Sequence, residues 1–280
     1  MSAPRGSVVI PAHDEAAVID RTLSRLLACD GADGWQVVVV CNGCRDDTAQ
    51  RARTHGVGVL EIKTASKVAA LNAGDAHVQA FPRLYLDADV VLSPGALDDV
   101  HATLATPEPR VTAPALRVEL SGAHPLVRSF YRTYLALPYL RDGLVGAGCY
   151  ALNAAGRARF GRFPELTADD LFVQGCFAAD ERRTSSASSF EVRAPRTLRG
   201  LLAVRTRTYL GNAEAVQAGL AGSMAASRSG SLAALAALVR ADPRRALDAL
   251  VYVAINLLAQ RRARRRGTAG AWLRDESSRR

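Results

Sequence analysis

Cysteine is scarce in this chain and its number is odd, with five in 280 residues. An odd number argues against a disulfide framework. The one close pair is Cys41 and Cys44, a Cys-x-x-Cys after the apolar run Val37 to Val40. A redox motif or half of a zinc site is the alternative for this pair, but the sequence shows no second cysteine pair and no histidine cluster to complete a zinc site.

Long apolar runs are also missing. The best candidate, Ala246 to Ala259, contains Asp248 and Asn256 and is shorter than the roughly twenty residues of a membrane-spanning helix. The start of the chain has no apolar signal core, because Met1 to Gly6 is short and polar. We therefore expect a cytoplasmic protein, and we expect the C-terminal helix to pack on the domain. A helix lying on the inner face of a membrane is the alternative.

Charge is unevenly distributed. The formal net charge is +9, and arginines crowd the last twenty residues, from Arg261 to Arg280. A basic end of this kind suits an anionic membrane surface, although a solvated helix end is the more frequent explanation. We expect no nucleic acid partner. The hydrophobic content of 49% and charged content of 22% are those of a folded globular protein.

The first hundred residues alternate between strand and helix patterns. Buried strands are predicted at Ser7–Ile10, Val37–Val40, Val57–Ile62 and Leu84–Leu86. Helices are predicted to begin at Ala12–Glu15 and at Asp46–Thr48, and a short helix is predicted over Lys67–Ala76. This alternation is typical of an α/β fold with a largely parallel sheet and flanking helices. Ligands bind at the carboxyl ends of such strands. The polar residues at or soon after these ends are His13, Asn42, Lys67, Asp87 and Asp89.

The most informative stretch is Tyr85 to Leu92, an apolar run that contains Asp87 and Asp89. Carboxylates beside a core are costly unless they leave it and meet a cation. Strand alternation would send both side chains to the same face, where hard oxygen donors suit a divalent ion. The alternative is an acidic turn that merely closes the strand before the helix at Ser93-Pro94.

The second half of the chain has shorter, mixed elements. The pattern predicts a strand at Val111–Leu120, an aromatic-rich helix at Pro125–Leu140, a glycine-led strand at Gly146–Leu152 and a helix that begins at Thr167–Asp170. No Pro- or Ser-rich linker divides the halves, so we expect one compact unit.

Five motifs in this order resemble those of the family 2 glycosyltransferases, whose fold is called GT-A. They are Val8 to Glu15, Asn42 to Thr48, Lys67 to Gly74, Leu86 to Asp89 and Ala168 to Asp170. The resemblance implies a GT-A type, Rossmann-like mixed sheet over residues 1–210. Residues 7–105 would form the nucleotide-sugar-binding half and residues 106–210 the acceptor half. Residues 211–280 would be a helical extension with a basic tail.

The resemblance implies a donor pocket whose floor is the first motif. Its donor-binding residues would be Pro11, Ala12, His13 and Glu15. His13 stands where the family often has an aromatic residue against the base, and a surface histidine at a helix start is the alternative. Asn42 stands where the family commonly has an aspartate that contacts uracil, and Cys41 replaces another acidic residue. The side-chain amide of Asn42 offers both a hydrogen-bond donor and a hydrogen-bond acceptor, so it can still recognise a nucleobase.

The resemblance further implies that Lys67 meets the base or the diphosphate, that Asp87 lies near the ribose, and that Asp89 ligates a Mn²⁺ or Mg²⁺ ion together with Asp87. A solvated lysine at a helix start is the alternative for Lys67. The metal would offset the charge of the leaving nucleoside diphosphate. We expect UDP as the nucleotide, with guanosine and thymidine donors left open.

For the catalytic base, the resemblance points to the pair Asp169 and Asp170, with Asp170 deprotonating the hydroxyl acceptor. The alternative is that Thr167-x-x-Asp170 is a capping box at a helix start. Processive relatives carry Gln-x-x-Arg-Trp, whereas the stretch Val204 to Thr208 keeps only the arginine, Arg207, which would be available to a phosphate. We therefore predict an inverting, non-processive enzyme that transfers one sugar.

Three rival functions stay open at this stage. A retaining transferase on the same fold would need no base at Asp170. A nucleotidyltransferase would use similar carboxylates but tends to carry a Gly-rich phosphate loop, which Pro11 to Glu15 lacks. A basic module that binds a membrane surface or a nucleic acid would instead act through its C-terminal helix and arginines.

Overall fold

A mixed eight-stranded sheet with flanking helices forms the centre of the fold in a computed structural model, which describes residues 3–138, 148–219 and 231–266. The strands are β1 (Gly6–Ala12), β2 (Trp35–Asn42), β3 (Gly58–Ile62), β4 (Arg83–Leu86), β5 (Val91–Leu92), β6 (Val111–Glu119), β7 (Cys149–Leu152) and β8 (Arg182–Arg193). Their order in the sheet is β3-β2-β1-β4-β7-β6-β8-β5. The predicted α/β fold class is confirmed.

Ten helices accompany these strands in the described part of the chain. They are α1 (Ile19–Leu27), α2 (Thr48–Thr54), α3 (Lys67–His77), α4 (Ala96–Leu104), α5 (Pro125–Tyr134), α6 (Ala154–Arg157), α7 (Asp169–Gly175), α8 (Leu198–Gln217), α9 (Ser231–Ala241) and α10 (Ala246–Arg266). Short 3₁₀ turns lie at Ala32–Gly34, Ala179–Glu181 and Pro243–Arg245. Residues 139–140 of the predicted helix and 146–147 of the predicted glycine-led strand lie outside the described residues.

The parallel half of the sheet aligns four strand ends. β1 pairs in parallel with both β2 and β4, and β2 pairs in parallel with β3. The side chains of β1, β2 and β4 are almost wholly buried, which is why these three strands read as continuous apolar runs in the sequence, whereas β3 is partly exposed. The carboxyl ends of β1, β2, β3 and β4 therefore lie along one edge of the sheet.

One predicted helix start is wrong. The sequence pattern placed it at Ala12–Glu15, whereas α1 begins at Ile19. Asp14 has a φ of 49°, in the left-handed region, which L-residues other than Gly, Asn and Asp rarely adopt and which no right-handed helix contains. The segment between β1 and α1 is therefore a loop at the carboxyl edge of the sheet.

The chain divides into two units. The first comprises residues 1–117 and 144–192, and the second comprises residues 118–143 and 193–280. The core of the first unit is built on β1, β2 and β4. In the core of the second unit, α10 packs on α5, and the rings of Phe130 and Tyr252 stack with centroids 5.1 Å apart. The predicted domain boundaries at 105 and 210 stay a prediction.

The C-terminal helix is longer than the predicted apolar segment. The side chain of Asp242 caps the short turn that precedes α10 by accepting the Arg244 N–H at 3.1 Å. Within residues 3–138, 148–219 and 231–266, no helix combines the length and the apolar character needed to cross a membrane.

Candidate active site

A lysine bridges two aspartates at the carboxyl edge of the sheet. Lys67 Nζ lies 2.8 Å from Asp87 Oδ1 and 2.8 Å from Asp169 Oδ1. The Ser66 side chain caps α3 by accepting the Ala69 N–H at 3.1 Å, which places Lys67 at the first helical position. The bridge therefore joins the start of α3, the end of β4 and the start of α7.

The bridge keeps the lysine charged. Burial alone would lower the pKa of the Lys67 ammonium, but the carboxylates of Asp169 and Asp87 outweigh that effect and hold the pKa above its ordinary value. The Lys67 side chain is 24% exposed and that of Asp169 only 4%. Lys67 thus neutralises a buried carboxylate, in addition to any contact with a donor that the sequence predicts.

Asp87 and Asp89 do not alternate on a strand, so the reason given from the sequence for their shared face is wrong. β4 ends at Leu86, and Asp87 begins a turn that the Val90 N–H closes on the Asp87 carbonyl oxygen at 3.1 Å. Both aspartates are partly exposed. In this same turn, the Asp89 carbonyl oxygen accepts Arg21 Nη2 at 3.0 Å.

The antiparallel neighbour β7 brings Gly148 against Asp87. Because Leu86 pairs with Cys149, the next residues outward are Asp87 and Gly148, and the Asp87 N–H donates to the Gly148 carbonyl oxygen at 2.8 Å. Gly148 has a φ of +87°, and a Cβ added there would lie 2.7 Å from Asp87 Oδ2. Only glycine fits this close approach.

The two aspartates at the start of α7 have different surroundings. Asp169 is buried, and its Oδ2 accepts the Tyr150 hydroxyl at 2.9 Å while its Oδ1 accepts Lys67. Asp170 is partly exposed, and its Oδ1 accepts the Leu171 N–H at 2.7 Å. Burial and then the charge of Asp169 raise the pKa of Asp170 to about 7.

The capping-box alternative for Asp170 does not hold. The N-cap of α7 is Ala168, so Thr167 does not occupy the N-cap position that the box requires. The raised pKa of Asp170 also differs from the lowered pKa that a helix-start carboxylate acquires from several amide donors. Asp170 therefore has the features of a group that exchanges a proton near neutral pH.

The ends of β1 and β2 form the remaining part of the edge. Pro11 and Ala12 are buried as the last residues of β1. The Asn42 side chain, 3% exposed, donates from Nδ2 to the Ala12 carbonyl oxygen at 2.8 Å, and the Asn42 carbonyl oxygen accepts His13 Nδ1 at 2.5 Å. Asn42 thus spends one of its amide donors on holding the two strand ends together.

The next loop residues are also tied across the two strands. Glu15 is buried, and its N–H donates to Thr48 Oγ1 at 2.8 Å. The Ala16 N–H donates to Asp46 Oδ2 at 3.1 Å.

Arg207 lies on α8 in the second unit, and its contact with a sugar donor stays a prediction.

Gly148 and Tyr150 are the site residues whose roles the sequence reasoning missed. The sequence showed a glycine-led strand, but it did not show that the Asp87 carboxylate of the same chain packs against Gly148. No sequence signal pairs Tyr150 with Asp169, because that contact depends on the packing of α7 beside β7.

The carboxylates suit a hard divalent cation. Asp87 and Asp89 offer oxygen ligands from one turn, both are partly exposed, and oxygen donors are what Mg²⁺ and Mn²⁺ prefer. Asp87 also contacts Lys67, so a metal held by these residues would lie beside a fixed positive charge. The residues present therefore fit such an ion.

A family model described as "Glycosyl transferase family 2" matches residues 7–159. No curated protein matches the chain. The structure of mannosyltransferase PcManGT from Pyrobaculum calidifontis in complex with GDP-Man and Mn²⁺ is 21% identical and covers 94% of this chain and 88% of its own, with a TM-score of 0.63. The structure of S. aureus TarS 1–349 in complex with UDP-GlcNAc is 18% identical and covers 67% of this chain and 58% of its own, with a TM-score of 0.53. Since both identities are low, these two likenesses show the fold, which is that of GT-A glycosyltransferases.

Proposed function

Because this chain belongs to glycosyl transferase family 2, whose model matches more than half of it, we propose that it is an inverting glycosyltransferase in which Asp170 is the general base. The observation that carries the proposal is the difference between two adjacent carboxylates. Asp169 is buried and fixed by Lys67 and Tyr150, whereas Asp170 is partly exposed with its pKa raised to about 7. A base poised near neutral pH is the group that can take a proton from a hydroxyl acceptor.

In this proposal Asp169 is a positioning residue. Its two oxygens hold Lys67 and Tyr150, which fixes the start of α7, and its negative charge is one cause of the raised pKa of Asp170. Asp170 then removes the acceptor proton as the hydroxyl oxygen attacks the anomeric carbon and the nucleoside diphosphate leaves from the opposite face of the sugar. The anomeric configuration inverts in this single displacement.

The proposed donor is a nucleoside-diphosphate sugar bound along the ends of β1, β2 and β4. The two related structures are complexes with GDP-Man and UDP-GlcNAc, and we keep UDP as the nucleotide to test first. The nucleobase would be lined by Pro11, Ala12, His13, Glu15 and Asn42. Lys67 would lie near the diphosphate.

Asp89 and Asp87 would hold Mn²⁺ or Mg²⁺ in this proposal. When bound, such an ion supplies positive charge that offsets the charge of the leaving diphosphate. Arg207 would be a further cation available to phosphate. Since the Gln and Trp of the processive motif are absent around Arg207, we propose that one sugar is transferred per acceptor.

The test combines donor binding with product stereochemistry. Thermal stabilisation of the purified protein would be measured with nucleoside diphosphates and their sugars, with Mn²⁺, Mg²⁺ or EDTA, on the wild type and on Asp89→Ala. We expect one nucleotide to raise the melting temperature of the wild type when the metal is present, and we expect Asp89→Ala to lose this increase. The donor so identified would then be used to determine the anomer of the product.

Three outcomes would overturn parts of the proposal. Retention of the anomeric configuration would reject Asp170 as the base of an inverting displacement. Release of pyrophosphate instead of a nucleoside diphosphate would indicate a nucleotidyltransferase. A nucleotide shift that is the same in EDTA and in Asp89→Ala would reject the metal site.

We also propose that α10 binds an anionic membrane surface, because one exposed face of this helix carries leucines followed by arginines. Leu247, Leu250, Leu257 and Leu258 are 68%, 64%, 50% and 48% exposed. At the angular spacing of an α-helix they share a sector roughly 100° wide. Arg261 and Arg265, both exposed, continue the same sector toward the end of α10. Exposed leucines followed by arginines on one face suit a bilayer with anionic headgroups.

Vesicle sedimentation tests this second proposal. The protein should sediment with anionic vesicles and less with zwitterionic ones. The variant Leu247→Ser/Leu250→Ser and the variant Arg261→Glu/Arg265→Glu should each lose this binding, while the control Arg240→Glu on α9 should keep it. Binding that is unchanged in both double variants would reject α10 as the membrane-binding element.

A further inference from the structure

His13, Asp14 and Cys44 form a cluster of three different metal-ligating side chains. One ligand atom from each, a ring nitrogen, a carboxylate oxygen and a sulfur, lies within 4.8 Å of the others. In the part of the chain that the structure describes, this is the only such group of three or more histidine, cysteine and acidic side chains. The sequence showed Cys44 in a Cys-x-x-Cys without further ligands, and the parallel pairing of β1 with β2 supplies them.

The histidine of this cluster is oriented as a metal ligand is. His13 Nδ1 lies 2.5 Å from the Asn42 carbonyl oxygen, and because a carbonyl oxygen can only accept, Nδ1 carries the proton. The neutral ring then has its lone pair on Nε2. Metal-ligating histidines commonly donate their other ring nitrogen to a backbone carbonyl in this way.

The carboxylate is oriented by the neighbouring loop. Asp14 Oδ1 accepts the Arg45 N–H at 2.7 Å, and Asp14 Oδ2 lies 3.7 Å from His13 Nε2. Two ligands bound at about 2.0 Å to one tetrahedral ion would lie about 3.3 Å apart, so this pair would close by a few tenths of an ångström on binding. Asp14 holds this place with a φ of 49°, in the left-handed region that Asp adopts more readily than most residues.

The sulfur completes the cluster. Cys44 Sγ accepts the Asp14 N–H at 3.4 Å and its thiol donates to the Ala12 carbonyl oxygen at 3.4 Å. Gly43 has a φ of +61°, and a Cβ added there would lie 2.9 Å from Ala65 Cβ. Glycine at 43 therefore allows the turn that brings Cys44 back over the end of β1.

We propose that His13, Asp14 and Cys44 bind Zn²⁺, with a water molecule as the fourth ligand. The nitrogen, sulfur and oxygen set matches the ligands of zinc, and three protein ligands plus a water make its open type of site. A thiolate ligand disfavours Mg²⁺ and Mn²⁺, which prefer oxygen. On binding, the Cys44 thiol loses its proton to solvent and the Cys44 Sγ to zinc bond forms.

This site differs from the one that the proposed function places at Asp87 and Asp89. Those residues offer oxygen atoms alone, whereas the cluster at His13 includes a sulfur. Cys41 is not a member of this cluster and lies within the core of the first unit, 2% exposed. Bound Zn²⁺ would clamp the loop after β1 to the loop after β2 and would fix the orientation of the His13 ring.

Cobalt spectroscopy of the purified, metal-free full chain tests the proposal. Co²⁺ is the probe, because a Co²⁺–thiolate bond gives a charge-transfer band in the near ultraviolet that an all-oxygen site does not give. The wild type should develop this band with one equivalent of Co²⁺ and lose it when Zn²⁺ is added. Cys44→Ala should lack the band, while Cys176→Ala, which removes a similarly half-buried thiol, should keep it.

The control for the other metal site is Asp89→Ala, which should keep the cobalt–thiolate band even where it loses nucleotide binding. Circular dichroism identifies any variant that does not fold, and Cys44→Ser is the second substitution if Cys44→Ala does not. Zn²⁺ at micromolar concentration should raise the melting temperature of the wild type and not that of the Cys44 variant. Absence of the band in the wild type, or its persistence in the folded Cys44 variant, would overturn the proposal.

Discussion

Lys67 Nζ lies 2.8 Å from Asp169 Oδ1, and this contact places a cation against the most buried carboxylate of the candidate active site. Asp169 is almost wholly buried, so its charge is tolerated only because a cation is in contact with it. Burial and then the charge of Asp169 raise the pKa of Asp170 to about 7, whereas the charge of Lys67 acts in the opposite direction and limits that rise. Lys67 at the start of α3 therefore stabilises one carboxylate of the pair at the start of α7 and moderates the pKa of the other.

The first prediction concerns Lys67→Met. Removal of the ammonium leaves the buried Asp169 without its cation, so we expect a loss of about 3 to 5 kcal/mol in the free energy of unfolding. Urea unfolding at pH 7 measures this.

The matched variant is Lys67→Met/Asp169→Asn, in which the orphaned charge is absent. It should recover part of the stability. Equal stability of the single and double variants at pH 7 would show that Lys67 does not stabilise the buried Asp169 side chain.

The second prediction concerns Asp170 and pH. Asp170 must be deprotonated to take the proton of the acceptor hydroxyl, so kcat/KM should increase with pH around pH 7. Its value at pH 6 should be about tenfold lower than at pH 8. Asp170→Asn should lower kcat by about 10² to 10⁴ and keep nucleotide binding. Asp180→Asn, an exposed aspartate in the same unit, should leave both unchanged.

The same raised pKa makes Asp170 a destabilising residue. Its folded-state pKa lies above its unfolded value of about 3.9, so its contribution becomes unfavourable as pH rises from about 4 to 7 and stays so above. Asp170→Asn should therefore raise the melting temperature at pH 8 while it removes activity. A lowered melting temperature at that pH would contradict the assigned environment.

Of the four parallel strands, β1, β2 and β4 could be predicted from continuous apolar runs because each is buried on both faces, whereas β3 is partly exposed along its length. Val37 to Val40 reads as a continuous apolar run, and the structure extends the same strand only to Trp35–Asn42. The loop after β1 could not be predicted in the same way. The sequence pattern placed the helix start at Ala12–Glu15, but the left-handed Asp14 and its hydrogen bond to Arg45 keep this segment out of a helix.

The candidate site shows the same limit. The positions of Asp87 and Asp169 could be predicted as ends of elements, since charge after an apolar run marks the point where a chain leaves the core. That Lys67 touches both could not, because the contact joins residues far apart in sequence. The Gly148 contact depends on the antiparallel register of β4 with β7, which no local pattern encodes.

The third prediction concerns Gly148→Ala. The new methyl group would lie 2.7 Å from Asp87 Oδ2 at a residue whose φ is +87°, so Asp87 must move and the backbone is strained. We expect a loss of about 1 to 3 kcal/mol in stability and about 10²-fold weaker metal-dependent nucleotide binding. Isothermal titration with the nucleotide and Mn²⁺ measures the second effect.

Gly161→Ala is the control for this substitution, because a Cβ there has nothing within 4 Å. It should bind nucleotide as the wild type does. Unchanged binding in Gly148→Ala as well would show that the position of the Asp87 carboxylate does not matter for the donor.

The fourth prediction concerns Asp75, which joins α3, β4 and α6. Its carboxylate, 11% exposed, accepts Arg83 Nη1 at 2.6 Å, Arg157 Nη2 at 2.6 Å and the Tyr85 hydroxyl at 2.5 Å. Burial would raise the pKa of Asp75, but the hydrogen bonds from Arg157, Tyr85 and Arg83 hold it below its ordinary value. The resulting stabilisation is present above the unfolded pKa and is lost as pH falls through the folded one.

Asp75→Asn removes the charge and keeps the shape, so two buried guanidinium groups lose their counter-charge. We expect a loss of about 3 to 5 kcal/mol at pH 7, measured by urea unfolding, and a smaller difference from the wild type at pH 3. Glu61→Gln, whose partner Arg53 forms a pair with side chains 58% and 54% exposed, should cost less than about 1 kcal/mol. Similar losses for the two variants would mean that the Asp75 network is no stronger than a surface ion pair, and that α3 is held on β4 by apolar packing alone.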